Sequence, residues 1–250
     1  MCLIALAWQA HPEYPLIVAA NRDEFHRRPA QAARFWPEAP ALLAGRDLAA
    51  GGTWLGITRT GRFAALTNVR EPGAPQGSRS RGLLVSGFLQ GADSPQAYAA
   101  AVAADGAHYS GFNLLVGDAG SLWWVSNRAP APMPVTPGVH ALSNHLFNTP
   151  WPKVQRARDG LTAALAAPTP EALFALLADD RAAPDDELPD TGVGLAMERL
   201  LSPPFIRSGG YGTRCSSVLL AGRERIFFAE QTFTPDGEGE RSAFGFRREA

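Results

Sequence analysis

The chain has 250 residues, of which 46% are hydrophobic, and its formal net charge at pH 7 is −1. This length and hydrophobic content can supply one sizeable core, so we predict a single domain over residues 1–250. The basic residues are spread along the chain, which argues against nucleic acid or an anionic membrane as the primary partner.

The cysteines and histidines predict neither a disulfide framework nor a metal site. Cys2 and Cys215 are the two cysteines, and the five histidines lack the spacing of zinc ligands. The first apolar run is too short for a signal peptide, and no apolar segment of about 18 residues follows it. We therefore expect a soluble cytoplasmic protein with no integral membrane association and no required cofactor.

Residues 2–9 form a short apolar run that begins with Cys2. Removal of Met1 would leave a cysteine with its own α-amine, whose reference pKa is roughly 7.7 to 8.0. One residue would then supply both the nucleophile and the base that takes its proton. The alternative is that Cys2 is a small buried hydrophobe in a core strand, and position alone leaves both interpretations open.

The first two apolar runs, residues 2–8 and 16–20, predict a hairpin of buried strands. The second run leads into the polar residues 21–24. Strand alternation places Asn21 and Asp23 on one face and Arg22 and Glu24 on the other. Charged residues at the end of a buried strand, beside the strand that carries Cys2, indicate a candidate site, although a solvated strand end would show the same pattern.

The middle of the chain predicts further hairpins and two groups of helices. Proline and alanine dominate residues 27–48, which we predict to be a long loop or flap, and residues 73–81 predict a mobile loop. The remaining predictions are hairpins over 51–68, 111–127 and 209–233, a short strand over 140–145, helices over 81–89 and 95–104, two helices within 151–180, and a surface excursion over 179–192.

Three further residues could assist attack on a carbonyl group. Asn68 and Asn144 end separate predicted strands, and a side-chain amide that donates to an oxyanion contributes on the order of 3 kcal/mol in the transition state. Each asparagine could equally be a turn residue. Arg214 lies in a glycine-rich loop that enters a strand, where it could bind a carboxylate, stabilise a thiolate, or be an ordinary surface arginine.

Several short blocks resemble the conserved motifs of one family. Residues 21–24 read Asn-Arg-Asp-Glu, the signature of the NRDE family, which is also called the transport and Golgi organisation family. Further blocks of this chain resemble that family along nearly its whole length, namely Met1-Cys2, Gly51–Gly56, Thr67-Asn68, Gly111–Leu115, Leu142–Asn144 and Tyr211–Arg214.

The NRDE family in turn resembles the N-terminal nucleophile hydrolases, nearest to the bile-salt hydrolase and penicillin V acylase group. That resemblance implies an α+β fold, a four-layer αββα sandwich of two antiparallel sheets between helices. It also implies that Cys2 is the nucleophile, Arg22 a supporting arginine, Asn68 and Asn144 residues of the oxyanion site, and Arg214 the late arginine.

Two residues depart from the pattern of that hydrolase group. The group spaces its arginine and aspartate three residues apart, whereas Arg22 and Asp23 are adjacent and point to opposite faces of a regular strand. Asp23 is therefore a candidate site residue with an uncertain counterpart, and Glu24 has none.

Two hypotheses follow from the residues and the resemblance together. The first is a cysteine amidohydrolase in which Cys2 attacks the amide carbonyl of a small N-acyl compound. The second is a non-enzymatic protein that binds haem, acyl-CoA or another lipid in an apolar pocket between the sheets. The sequence leaves the substrate and the oligomeric state open.

Overall fold

The computed structural model describes residues 2–249. It contains two antiparallel sheets packed face to face, with helices on both outer sides. The strands are β1 (Cys2–Trp8), β2 (Leu16–Phe25), β3 (Ala30–Trp36), β4 (Ala39–Asp47), β5 (Leu55–Thr58), β6 (Phe63–Asn68), β7 (Phe112–Gly117), β8 (Leu122–Ser126), β9 (Met133–Pro134), β10 (Gly138–Leu142), β11 (Tyr211–Ala221), β12 (Arg225–Thr234) and β13 (Gly237–Arg247). The helices are α1 (Gly82–Gln90), α2 (Pro95–Ala104), α3 (Pro152–Ala164), α4 (Pro170–Leu177) and α5 (Leu195–Leu201).

The first sheet has the strand order β10-β1-β2-β11-β12-β13, and the second has the order β3-β4-β5-β6-β7-β8-β9. Every neighbouring pair described in these sheets is antiparallel. The α+β sandwich that the family resemblance implies is therefore confirmed.

All seven residues of β1 are buried because both faces of this strand are covered. Ile4, Leu6 and Trp8 pack in the core between the sheets together with Cys2. The intervening small and apolar residues pack under α3 and α4 on the other face. The strand therefore reads as a continuous apolar run in the sequence instead of an alternating one.

Helices α2 and α4 start where the sequence provides a cap. The hydroxyls of Ser94 and Thr169 accept hydrogen bonds from the backbone of α2 and α4, and each is followed by a proline at the first helical position. Helices α1 and α2 cover the second sheet, whereas α3 and α4 cover the first. No helix within residues 2–249 is long and apolar enough to span a membrane.

The structure corrects the prediction that residues 27–48 are a loop or flap. These residues form the hairpin β3–β4, and β4 pairs with β5 at one end of the second sheet. Proline and alanine have low strand propensity, but pairing with β5 and burial of Leu42 and Leu43 outweigh it. Strand β13 and helix α5 were not predicted, and residues 73–81 contain neither helix nor strand, as expected.

A buried carboxylate links the two sheets. Glu230 of β12 accepts a hydrogen bond of 2.7 Å from the backbone N–H of Ala33 in β3 and one of 3.1 Å from the hydroxyl of Ser217. Because Ala33 belongs to the second sheet, this side chain holds β3 against the first sheet.

We expect Glu230→Ala to lower the free energy of unfolding by about 3 kcal/mol, because it leaves a buried N–H and a buried hydroxyl without their acceptor. Glu230→Gln is the matched control, because the glutamine amide oxygen still accepts the hydrogen bond from Ala33. Its free energy of unfolding should decrease clearly less than that of Glu230→Ala. Urea denaturation measures both values. Equal losses for the two variants would contradict the linking role.

Candidate active site

A cavity of about 580 Å³ opens where β1 starts and β2 ends, between the edges of the two sheets. Its wall combines thiols, charged groups and backbone from both sheets and from the loop before α1. The charged residues, the two cysteines and the asparagine that line it are Cys2, Arg22, Asp23, Glu24, Arg28, Arg46, Asp47, Asn68, Arg79, Arg81, Arg214, Cys215 and Glu230.

Cys2, Arg22 and Cys215 form one row across three adjacent strands. Cys2 lies opposite Arg22 in the β1–β2 pair, and Arg22 lies opposite Cys215 in the β2–β11 pair. Residues directly opposite each other in antiparallel strands share a face, so Arg22 lies in the row between the two cysteines. Both cysteines are buried and neither is in a disulfide.

Arg214 occupies an irregularity in β11. Thr213 pairs with Asp23 and Cys215 pairs with Arg22, so Arg214 is the additional residue of a β-bulge. Its Nη1 donates to the carbonyl oxygens of Phe25 and Arg28 at 2.9 and 3.1 Å. The bulge thereby turns this arginine toward the segment that follows β2 and into the cavity wall.

Arg22 is only loosely paired with acidic groups. Its Nη2 lies 4.0 Å from the carboxylate of Glu24 and 3.8 Å from that of Asp47. Asp47 forms a closer ion pair with Arg28, at 2.8 Å. Much of the positive charge of Arg22 is therefore available to the thiols on either side of it.

Burial raises the pKa of the Cys2 thiol above its ordinary value, and the charge of Arg22 opposes this rise. The pKa of Cys215 is raised well above its ordinary value by burial, with the Glu230 carboxylate adding to the rise. Cys2 is therefore the better nucleophile of the two, and it needs a base to become a thiolate at neutral pH.

Asp23 points to the opposite side of β2 from Arg22, as the strand alternation predicts. Its Oδ1 accepts a hydrogen bond of 2.8 Å from the hydroxyl of Thr213, and the residue is buried. Burial raises the pKa of this carboxyl, and the charge of Lys153 opposes that rise. Asp23 also lines the cavity, so the structure brings it to the edge of the site despite its orientation.

Asn68 and Asn144 are joined by a hydrogen bond but occupy different places relative to the cavity. Asn68 lines the cavity at the end of β6, whereas the side-chain nitrogen of Asn144 donates to the backbone carbonyl of Asn68 at 3.1 Å. The hydroxyl of Ser143 lies 2.9 Å from the carbonyl oxygen of Cys2 and 3.0 Å from Oδ1 of Asn144. Asn144 thus connects the start of β1 to the end of β6.

The structure adds site residues that the sequence analysis missed. Lys153 in the first turn of α3 is buried and interacts electrostatically with Asp23 and Cys2. It is the only lysine in a chain that otherwise uses arginine, a signal that was present in the sequence. Glu230 and Arg81, which line the cavity itself, had no comparable signal.

Comparison with known proteins identifies the family. The family model described as Transport and Golgi organisation 2 matches residues 1–235. The chain belongs to this family. It is 35% identical to the human Transport and Golgi organization protein 2 homolog over 257 residues, covering 93% of each chain. It is also 30% identical to the Drosophila melanogaster Transport and Golgi organization protein 2, covering 95% of each chain.

Solved structures support the resemblance of this Transport and Golgi organisation 2 family member to hydrolases at the level of fold. A Caenorhabditis elegans N-acylethanolamine-hydrolyzing acid amidase ortholog superposes with a TM-score of 0.55 at 11% identity, covering 88% of this chain and 92% of that one. A mutant conjugated bile acid hydrolase from Clostridium perfringens superposes with a TM-score of 0.53 at 9% identity, covering 98% of this chain and 97% of that one. The family and fold expectations are both confirmed.

We expect Arg22→Met to slow iodoacetamide labelling of Cys2 at pH 7 by roughly tenfold, because loss of a neighbouring cation raises the thiol pKa by about one unit. Peptide-resolved mass spectrometry measures labelling of Cys2 and Cys215 separately. Arg181→Met, which removes an exposed arginine paired with Asp179, is the charge-matched control and should label like the unmodified protein. Unchanged Cys2 labelling in Arg22→Met would contradict this account of the site.

Proposed function

We propose that the protein is a cysteine amidohydrolase of the N-terminal nucleophile type, which cleaves the C–N amide bond of a small N-acyl compound. The observation that carries the proposal is the position of Cys2, the first residue of an interior strand, with its thiol in a cavity beside Arg22. Asn68, a possible oxyanion donor, lines the same cavity.

The proposed activation begins with removal of Met1, which frees the α-amine of Cys2. A neutral α-amine can take the proton of the thiol, whose own burial otherwise disfavours the thiolate. The thiolate then attacks the amide carbonyl carbon, while Arg22 stabilises the sulfur anion before attack. A reducing cytoplasmic location belongs to this proposal, since the reaction needs Cys2 as a free thiol.

The oxyanion formed by this attack would receive a hydrogen bond from the side chain of Asn68. Asn144 holds the end of β6 through the carbonyl of Asn68, so it positions this donor. The intermediate collapses as the C–N bond breaks, and the α-ammonium returns its proton to the leaving amine. Water then hydrolyses the thioester, so that amide and water give a carboxylic acid, an amine and the regenerated thiol.

The fold relatives agree with this reaction class. By their names, one hydrolyses N-acylethanolamines and the other is a conjugated bile acid hydrolase. An N-acylethanolamine carries an acyl group on nitrogen, which is why we propose this bond type for this chain.

The test is intact-mass spectrometry of the purified protein followed by a screen of N-acyl amides of varied chain length. We expect loss of the Met1 mass and amide turnover that Cys2→Ala abolishes. Asn68→Ala should lower kcat by roughly 10²- to 10³-fold, because it removes one oxyanion donor. Cys215→Ala should reduce turnover far less than Cys2→Ala. Retention of Met1, or turnover that persists in Cys2→Ala, would refute the mechanism.

The second candidate function is binding of haem or an acyl-CoA without catalysis, and the arginines of the cavity favour it. Arg81 and Arg214 line the cavity, and within residues 2–249 neither forms an ion pair with a carboxylate. Guanidinium groups of this kind suit the phosphates of an acyl-CoA or the propionates of haem. The thiols of Cys2 and Cys215 would be the candidate iron ligands, because no histidine lines the described cavity wall.

If this second candidate is correct, Arg81→Met should weaken binding of palmitoyl-CoA and haemin by roughly tenfold, through loss of one charge-assisted contact. Intrinsic tryptophan fluorescence follows the first ligand and haemin absorbance follows the second. Arg181→Met again serves as the control. Equal affinity of Arg81→Met and the unmodified protein would count against an anionic ligand at this wall.

A further inference from the structure

Lys153 is a buried cation that the reaction drawn above does not use. It is 2% exposed, it lies in the first turn of α3, and its Nζ makes no hydrogen bond within residues 2–249. Helix α3 packs against β1 and β10, so the ammonium lies behind the strand that carries Cys2.

This location is unfavourable for a lysine on two physical grounds. Burial of an ammonium without hydrogen-bond partners costs free energy, and the N-terminus of a helix carries partial positive charge that repels a cation. A methionine of similar length would avoid both costs. The charge of Lys153 must therefore be offset by favourable interactions with other buried groups.

The charged and titratable groups around Lys153 come from four different parts of the chain. They are Cys2 on β1, Asp23 on β2, Arg70 after β6 and Glu198 on α5. Arg70 and Glu198 form an ion pair with each other, and their side chains are 5% and 3% exposed. Asp23 is therefore the carboxyl group left to balance Lys153, and Cys2 is a second group that becomes anionic when it ionises.

We propose that Lys153 is a positioning residue of the Cys2 site, whose buried ammonium offsets the negative charge of Asp23, favours the thiolate of Cys2 and opposes protonation of the Cys2 α-amine. A cation behind the strand stabilises a neighbouring anion and destabilises a neighbouring cation, so both effects favour the thiolate paired with a neutral amine. The part that concerns the α-amine rests on the proposed function, whereas the part that concerns the thiol does not.

The charge state of Lys153 fits this role. Burial lowers its pKa to about 8, and Asp23 opposes the decrease, so the group is mainly charged at pH 7. Among the other charges that act on the Cys2 thiol, Asp23 raises its pKa and Arg22 lowers it. Arg81 also interacts electrostatically with Cys2, from the loop before α1.

The first experiment compares Lys153→Met with Lys153→Arg in peptide-resolved iodoacetamide labelling of Cys2, from about pH 6 to about pH 10. Loss of the Lys153 charge should raise the midpoint of the pH dependence of Cys2 labelling by about one pH unit. It should also slow Cys2 labelling at pH 7 roughly tenfold. Lys153→Arg keeps the charge and should restore the original midpoint. A folded Lys153→Met protein with an unchanged midpoint would overturn the inference.

A second experiment needs no variant, because the chain contains one lysine. In protein grown with carbon-13 lysine, the NMR signal of the side chain comes from Lys153 alone. We expect this signal to titrate with a pKa of about 8. Capping Cys2 with iodoacetamide prevents its thiolate from forming as the pH rises and should therefore lower the midpoint of the lysine titration. An unchanged lysine titration after capping would overturn the coupling even if Lys153→Met fails to fold.

The two proposals fail in different ways. If the labelling and NMR shifts appear but no amide is turned over, the Lys153 inference stands and the hydrolase is refuted. If amide turnover occurs and Lys153→Met changes neither the labelling midpoint nor the pH profile of kcat, the hydrolase stands and the Lys153 inference is refuted.

Discussion

The hydrogen-bonded register of β1, β2 and β11 is the constraint on which the candidate site depends. It sets Cys2, Arg22 and Cys215 side by side, and the bulge at Arg214 lets Thr213 and Cys215 face opposite sides of one strand. Because side chains alternate along a strand, a shift of one residue in β1 would turn the Cys2 thiol toward α3. Burial of both faces of β1 makes such a shift costly, so core packing fixes the geometry of the nucleophile.

Much of the fold could be predicted because several segments carry strong local signals. The hairpins β5–β6, β7–β8 and β11–β12 combine apolar strands with short turns, and α2 and α4 have caps followed by proline. The hairpin β3–β4 could not be predicted in this way, since its proline- and alanine-rich residues form strands only when β5 provides a partner. The same applies to β13, a largely exposed polar strand that pairs with β12.

The site was predictable where its residues follow one another in a strand. Alternation alone indicated that Arg22 and Asp23 face opposite sides of β2, and the structure places Arg22 beside the thiols and Asp23 next to Thr213. The positions of Asn144 behind Asn68 and of Lys153 behind β1 depend on packing between segments far apart in the chain. No local pattern encodes such contacts, although Lys153 stands out in the sequence as its single lysine.

The buried position of Lys153 also determines how amine chemistry would act on the folded protein. Acylating reagents, cross-linkers and enzymes that modify lysine need an accessible ε-amine, and the one lysine of this chain is 2% exposed. Modification of Lys153 would therefore report local opening of α3 from the first sheet.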